Sequence, residues 1–158
     1  MNIWQKTLCC VWAFLLLFTL VLPVGFAAEV QIPIKTATAT TNHGSYPPSN
    51  AIDGITTTRW QHLSFDLKPA ITFDLGKKTP FNKLVVMPTG ASVVNKYTIE
   101  AADNAAMTQN RVVLASGTVI EDNNIFTFKT VSRRYIRYSV TEKDGTIGLF
   151  EFQVFNST

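Results

Sequence analysis

Cysteine is nearly absent from this chain of 158 residues, and the two it has, Cys9 and Cys10, both fall close to its start. Whatever folds beyond them has no disulfide and no cysteine-based metal site, so it must stand on its core or on an ion held by other ligands. Histidine is equally scarce, with 2 residues, and no G-x-S-x-G occurs, so the usual pairing of nucleophile and base is missing. Charge of one sign is lacking too. The 14 lysines and arginines are scattered against 11 acidic residues, with Arg133–Arg134 the densest basic cluster, and that excludes the concentrated footprint of a nucleic-acid binder. No segment carries an apolar helical rhythm over three turns, which excludes helix bundles.

One long apolar run is present, and it opens the chain. Met1 to Lys6 is weakly positive; an apolar stretch then runs from Leu8, is broken by Pro23 and Gly25, and ends in Ala27 and Ala28. That order predicts a secretory signal peptide over residues 1–27 and one exported domain over 28–158, secreted or held at a cell surface or in a periplasm. Cleavage after Ala27 puts Gly25 at the −3 position, whereas cleavage after Ala28 would put bulky Phe26 there. The competing reading is an uncleaved anchor, since the run is nearly long enough to span a bilayer. Roughly 130 remaining residues suffice to bury well over half of their chain surface.

Those residues alternate. Ile71, Phe73 and Leu75 oppose Thr72 and Asp74; Tyr97, Ile99 and Ala101 oppose Thr98 and Glu100. Ile136, Tyr138 and Val140 oppose Tyr135, Arg137 and Ser139, and Phe150, Phe152 and Val154 oppose Glu151, Gln153 and Phe155. Period two in β-branched and aromatic residues predicts half-buried strands, and "KLVVM", "RVVLA" and "IFTFK" add three more. Turn signals such as "DLGKKTP", "PTGAS", "EDNN" and "EKDGT" separate them. Short strands spaced by turns predict an all-β fold, an antiparallel sandwich or jelly roll.

"SNAIDGITTTRW", Ser49 to Trp60, crowds oxygen-bearing side chains into one loop. Calcium takes six to eight hard oxygen ligands, several of them carbonyls from tight turns. Asp53 offers a carboxylate, Gly54 a sharp turn, and Thr58 a hydroxyl and a carbonyl. The alternative is an Asp-Gly turn in which Asp53 caps local amides. Trp60, just after the loop, is expected in the core.

In order, "TATATTN", "NAIDGITTTRW", "FDLG", "YTIEAAD", "RRYIRYSV" and "LFEFQVF" resemble the coagulation factor 5/8 type C, or discoidin, domain. Within that group the chain is most similar to bacterial family 32 carbohydrate-binding modules, over about residues 36–156. Animal members commonly tie their termini with a disulfide, which this chain cannot do. The resemblance implies an eight-stranded antiparallel β-sandwich with jelly-roll topology (galactose-binding domain-like) and a non-catalytic role in binding sugars on glycans or polysaccharides, cell-surface glycoconjugates included. It also implies a structural calcium held by the carbonyls of Asn50 and Ile55, the Asp53 carboxylate, Thr58, the Phe150 carbonyl and Glu151. For the sugar it implies His62, with Phe65 three residues on, and Asn95. Tyr46 and His43 are further candidates from a neighbouring loop. The arginine that galactose-binding members place near Asn95 is absent, with Thr89 and Gly90 in that region, and threonine or glycine cannot replace its fork of donors. The plain alternatives are a solvated loop histidine at His62 and a core-edge cap at Phe65. Arg59, Arg134 and Arg137 also recur in the pattern and are expected to pair with carboxylates such as Asp74.

Catalysis is not expected. Acidic residues could in principle form a glycosidase pair, but Asp53 and Glu151 are better explained together as ion ligands. The rival function is adhesion to a membrane or protein surface through the apolar loop tips Tyr46, Phe65 and Val93–Val94.

Overall fold

The computed structural model describes residues 28–89, 94–118 and 124–157. The expected signal peptide, residues 1–27, lies outside them. Eight strands are described: β1 (Glu29–Ile32), β2 (Thr36–Ala39), β3 (Trp60–Gln61), β4 (Ala70–Thr89), β5 (Val94–Ala102), β6 (Val112–Gly117), β7 (Asn124–Lys143) and β8 (Gly148–Ser157). The one helical element among the described residues is a 3-10 turn, Pro48–Ile52. All pairings are antiparallel, in the order β1-β8-β4-β7-β5-β6, with β2 added to β4 and β3 to β8. The all-β antiparallel expectation holds.

Strand boundaries differ from the sequence expectation. "ITFDLG" and "KLVVM" are one strand, β4, and "IFTFK" and "RYIRYSV" are one strand, β7. The "DLGKKTP" signal makes a bend instead of a reversal. Asp74 Oδ1 accepts the Gly76 N–H at 2.6 Å and Gly76 takes φ +80°, a left-handed conformation that glycine adopts without penalty. The β4–β7 register shifts there, then resumes with Thr79 opposite Arg133. Both strands thereby pass from one layer to the other. Phe73, before the bend, stacks at 4.1 Å on Phe152 of β8, and β8 pairs only with the part of β4 after the bend. The core lies between these layers, with Trp60, Ile71, Phe73, Phe81, Leu84, Ile99, Ile136 and Val154 fully buried.

In β8 the expected inward set is corrected at one position. Phe152 and Val154 are buried, but Leu149 takes the core place expected of Phe150, which is half-buried. Between Met87 opposite Glu151 and Pro88 opposite Leu149 the register slips at Phe150. A bulge of one residue exchanges the faces of the strand beyond it.

Candidate functional site

Two groups of residues carry polar chemistry, and the first is the loop after the 3-10 turn. Asp53 ends that turn, and Gly54 at φ +77° swings the chain round. Asp53 Oδ1 accepts the Ile55 N–H at 2.8 Å, and Oδ2 accepts the Thr58 hydroxyl at 2.7 Å. Glu151, 2 % exposed on β8, accepts the Gly54 N–H at 2.8 Å through Oε1. Burial pushes the Glu151 carboxyl up; the Gly54 amide opposes this, and the Asp53 carboxyl reinforces it. Asn50 uses its side chain elsewhere, donating to the Arg59 carbonyl at 3.1 Å. The fold thus brings Asp53, Ile55, Thr58 and Glu151 together, with Phe150 adjacent on β8 and Asn50 in the same 3-10 turn. A cleft of about 280 Å³ borders Ile52, Asp53, Gly54 and Glu151.

The donor set fits a hard cation in kind. Two carboxyls, one of them buried, face each other with a hydroxyl and carbonyls nearby, and the Asp53 carboxyl adds to the burial that keeps Glu151 from ionising. No cluster of three or more His, Cys, Asp or Glu side chains occurs among the described residues, so carbonyls would supply the remaining ligands. The Asp53 bonds to Ile55 and Thr58 are also those of a self-capped Asp-Gly turn.

The second group lies at the end of the sandwich where Gln61 and Thr89 both pair with Gly148 and Val94 pairs with Lys143. There β3 and β8 approach so closely that a Cβ on Gly148 would run into the Trp60 carbonyl. His62 is 1 % exposed, and neither ring nitrogen has a hydrogen-bond partner among the described residues. It is therefore not a solvated loop residue. Burial and the Lys143 ammonium push its pKa down, leaving a neutral ring. Phe65 does not cap the core edge: it is 73 % exposed, as is Leu67. Their loop is pinned by Asp66, which accepts the Thr40 and Thr41 hydroxyls at 2.6 and 2.8 Å and the Lys68 N–H at 3.1 Å.

Asn95 opens β5 at this end and donates to Asp144 at 2.7 Å. Tyr46 lies beside β3, where the Gln61 N–H meets its carbonyl, but the Arg59 guanidinium covers its ring at 4.0 Å. Of the other proposed tips, Val94 is buried and Val93 lies outside the described residues. Sequence reasoning missed Lys143, Asp144 and Leu67. The first two belong to a turn signal, "EKDGT", whose partners only the topology supplies.

The arginines divide. Arg134 forks onto Asp74 at 2.8 and 2.9 Å, as expected. Arg137 instead bonds the Thr72 hydroxyl and the Ala105 carbonyl, and Arg59 bonds Gln61 and stacks on Tyr46. The register sets Arg137 between Thr72 and Glu100, but Glu100 pairs with Arg111, so Arg137 turns to the hydroxyl and a carbonyl.

The family model described as the F5/8 type C domain matches residues 36–152. The chain belongs to this family. Among solved structures, chitosan-binding module 1 of a chitosanase/glucanase from Paenibacillus sp. IK-5 is similar at 25 % identity and a TM-score of 0.72, over 79 % of this chain and 98 % of that one. The family 32 carbohydrate-binding module of C. perfringens NanJ, solved with galactose, is similar at 25 % identity and a TM-score of 0.70, over 82 % and 100 %. A GH29 fucosidase from Ruminococcus gnavus shares the fold at 22 % identity and a TM-score of 0.67, over 78 % of this chain and 25 % of that one. No curated protein sequence matches. This F5/8 type C domain is of the carbohydrate-binding-module type, with the galactose-binding-like fold.

Proposed function

We propose that the domain is a non-catalytic sugar-binding module, exported by residues 1–27, that recognises glycans or polysaccharides at the end of the sandwich holding His62, Phe65 and Asn95. The observation that carries this is Phe65, a large aromatic ring left 73 % exposed on a loop that Asp66 holds in place. A fixed ring suits the apolar face of a sugar, and a few polar groups beside it fix hydroxyls. Asn95, Asp144 and Lys143 are those groups, with Lys143 bringing a cation to the end that lacks the galactose-type arginine. His62 is buried beneath this end with both ring nitrogens unpartnered among the described residues, and a ligand hydroxyl would meet them only once the residues covering it shift. Glycoconjugates at a cell surface are suitable targets.

Calcium in this proposal is structural. Asp53, Thr58, Glu151 and the carbonyls of Asn50, Ile55 and Phe150 would hold it, and it would neutralise the facing carboxyls and tie the loop to β8.

Retention of the full-length protein on immobilised galactan and chitosan, with free sugar as competitor, tests the binding. Competition is expected; no retention on any neutral or amino-sugar polymer would overturn it. A second reading draws on Leu67, as exposed as Phe65 and followed by Lys68: the loop would seat on a membrane surface. Pelleting with liposomes that free sugar does not compete would favour that reading.

A further inference from the structure

The bend of β4, the β5–β6 loop and the middle of β7 gather cations that lie far apart in sequence. Lys35 lies over Gly76, where a Cβ would come within 2.9 Å of the Lys35 Cδ. Lys77 and Lys78 follow on the bend, both exposed. Arg133 pairs with Thr79 and donates to the Asn110 carbonyl at 2.6 Å, next to Arg111. Arg134 completes the group on Asp74.

The carboxylates among them are already engaged. Asp74 is held by Arg134 and the Gly76 amide, Asp103 by Lys78 and Asn110, and Glu100 by Arg111. Among the described residues Lys35 and Lys77 form no ion pair, and Arg133 bonds only carbonyls. Positive charge is therefore in excess on this end. It is separated from the Phe65 end by the length of β5, on the order of 25 Å at 3.3 Å per residue.

We propose that this end is a docking surface for an acidic polysaccharide, whose carboxylate or sulfate groups meet Lys35, Lys77, Lys78 and Arg133. Anions repeating along a flexible polymer match cations spread over a bend and two neighbouring strands, with Arg133, whose Nε and Nη1 already meet carbonyls, contributing charge and its remaining nitrogen. A nucleic acid fits less well. Single strands are held by stacking on free aromatic faces, and the aromatic here, Tyr135, lies under the Arg134 guanidinium at 4.9 Å. The choice of a glycan rests on the sugar-binding proposal, but the surface does not use the Phe65 end.

The test is retention of the full-length protein on immobilised polygalacturonate and dextran sulfate against neutral dextran, in low salt. Retention on the charged polymers alone, lost as salt rises, is expected. Lys77→Glu, at a side chain without an ion pair among the described residues, should weaken it with unchanged melting; adding Lys78→Glu should weaken it by roughly tenfold, with a small loss of stability from the broken Lys78–Asp103 pair. Phe65→Ala should leave it intact while weakening neutral-sugar binding, so failure of one proposal is distinguishable from failure of the other. Equal retention on neutral dextran, charge-reversed variants retained like the parent, or tighter binding of a single-stranded oligonucleotide at the same salt would each overturn it.

Discussion

Glu151 on the last strand accepts the backbone N–H of Gly54 at 2.8 Å, across 97 residues of sequence. That bond closes the Asp53 loop onto β8 and sets the Glu151 carboxyl, buried, beside that of Asp53. Its ionised form is disfavoured for both reasons.

The first prediction follows from that shift. The folded-state pKa of Glu151 lies above the ordinary 4.5, so the fold retains a proton that the unfolded chain releases. Stability from this group is full below pH 4.5 and is lost as pH rises through the higher folded value. Calcium, by compensating the ionised form, should raise Tm at pH 7.5 and do little at pH 4. Glu151→Gln should melt no lower than the parent in chelator and lose the calcium response. An unchanged midpoint with and without calcium at pH 7.5 would remove the ion site.

His62 has the opposite dependence. Its pKa is lowered from 6.5, so the unfolded chain takes up a proton before the fold does. Stability from this group is full above pH 6.5 and falls as pH drops towards the lower folded value. The Tm difference between the parent and His62→Gln, measured at pH 7.5 and pH 5, should shift in the variant's favour on acidification. A difference that does not change with pH would contradict it.

Phe65→Ala removes an exposed ring. Surface changes of this kind stay within about 0.5 kcal/mol in stability, so the melt should not move. Sugar retention should fall roughly tenfold, as for an anchor residue worth about 1–2 kcal/mol. Unaltered affinity on the polymer that binds the parent would place the sugar elsewhere.

Gly148→Ala should destabilise by about 1–3 kcal/mol, as overpacking does. The new methyl meets the Trp60 carbonyl and, at 3.0 Å, the Thr89 hydroxyl, where β3, β4 and β8 converge. Chemical denaturation of parent and variant would check it; equal midpoints would mean that the strands separate freely there.

Much of the fold was legible because alternation is a local signal. Ile71, Phe73, Ile99, Ile136 and Tyr138 are buried where period two placed them, and Trp60 is in the core. Composition reports a change of direction but not its angle, and at Asp74–Gly76 the chain bends instead of reversing. The cross-strand partner, β7, carries both segments through it as one strand. The 3-10 turn and β1 to β3 were too short to show a period.

The candidate sites divide in the same way. Asp53, Gly54 and Thr58 interact within one loop, so their bonds follow from neighbouring residues. Asn95 with Asp144, and Lys143 near His62, meet only because the start of β5 pairs with the end of β7. Scattered lysines and arginines became a cationic surface by the same means.

By itself, then, the sequence determined which segments are strands, which of their faces are apolar and where the Asp-Gly loop turns, since each depends on residues a few positions apart. Tertiary structure alone decided that Leu149 replaces Phe150 in the core, that Glu151 is sealed against Gly54, and that His62 is buried while Phe65 is bare. Those outcomes depend on strand register, and in a sheet a shift of one residue exchanges the faces.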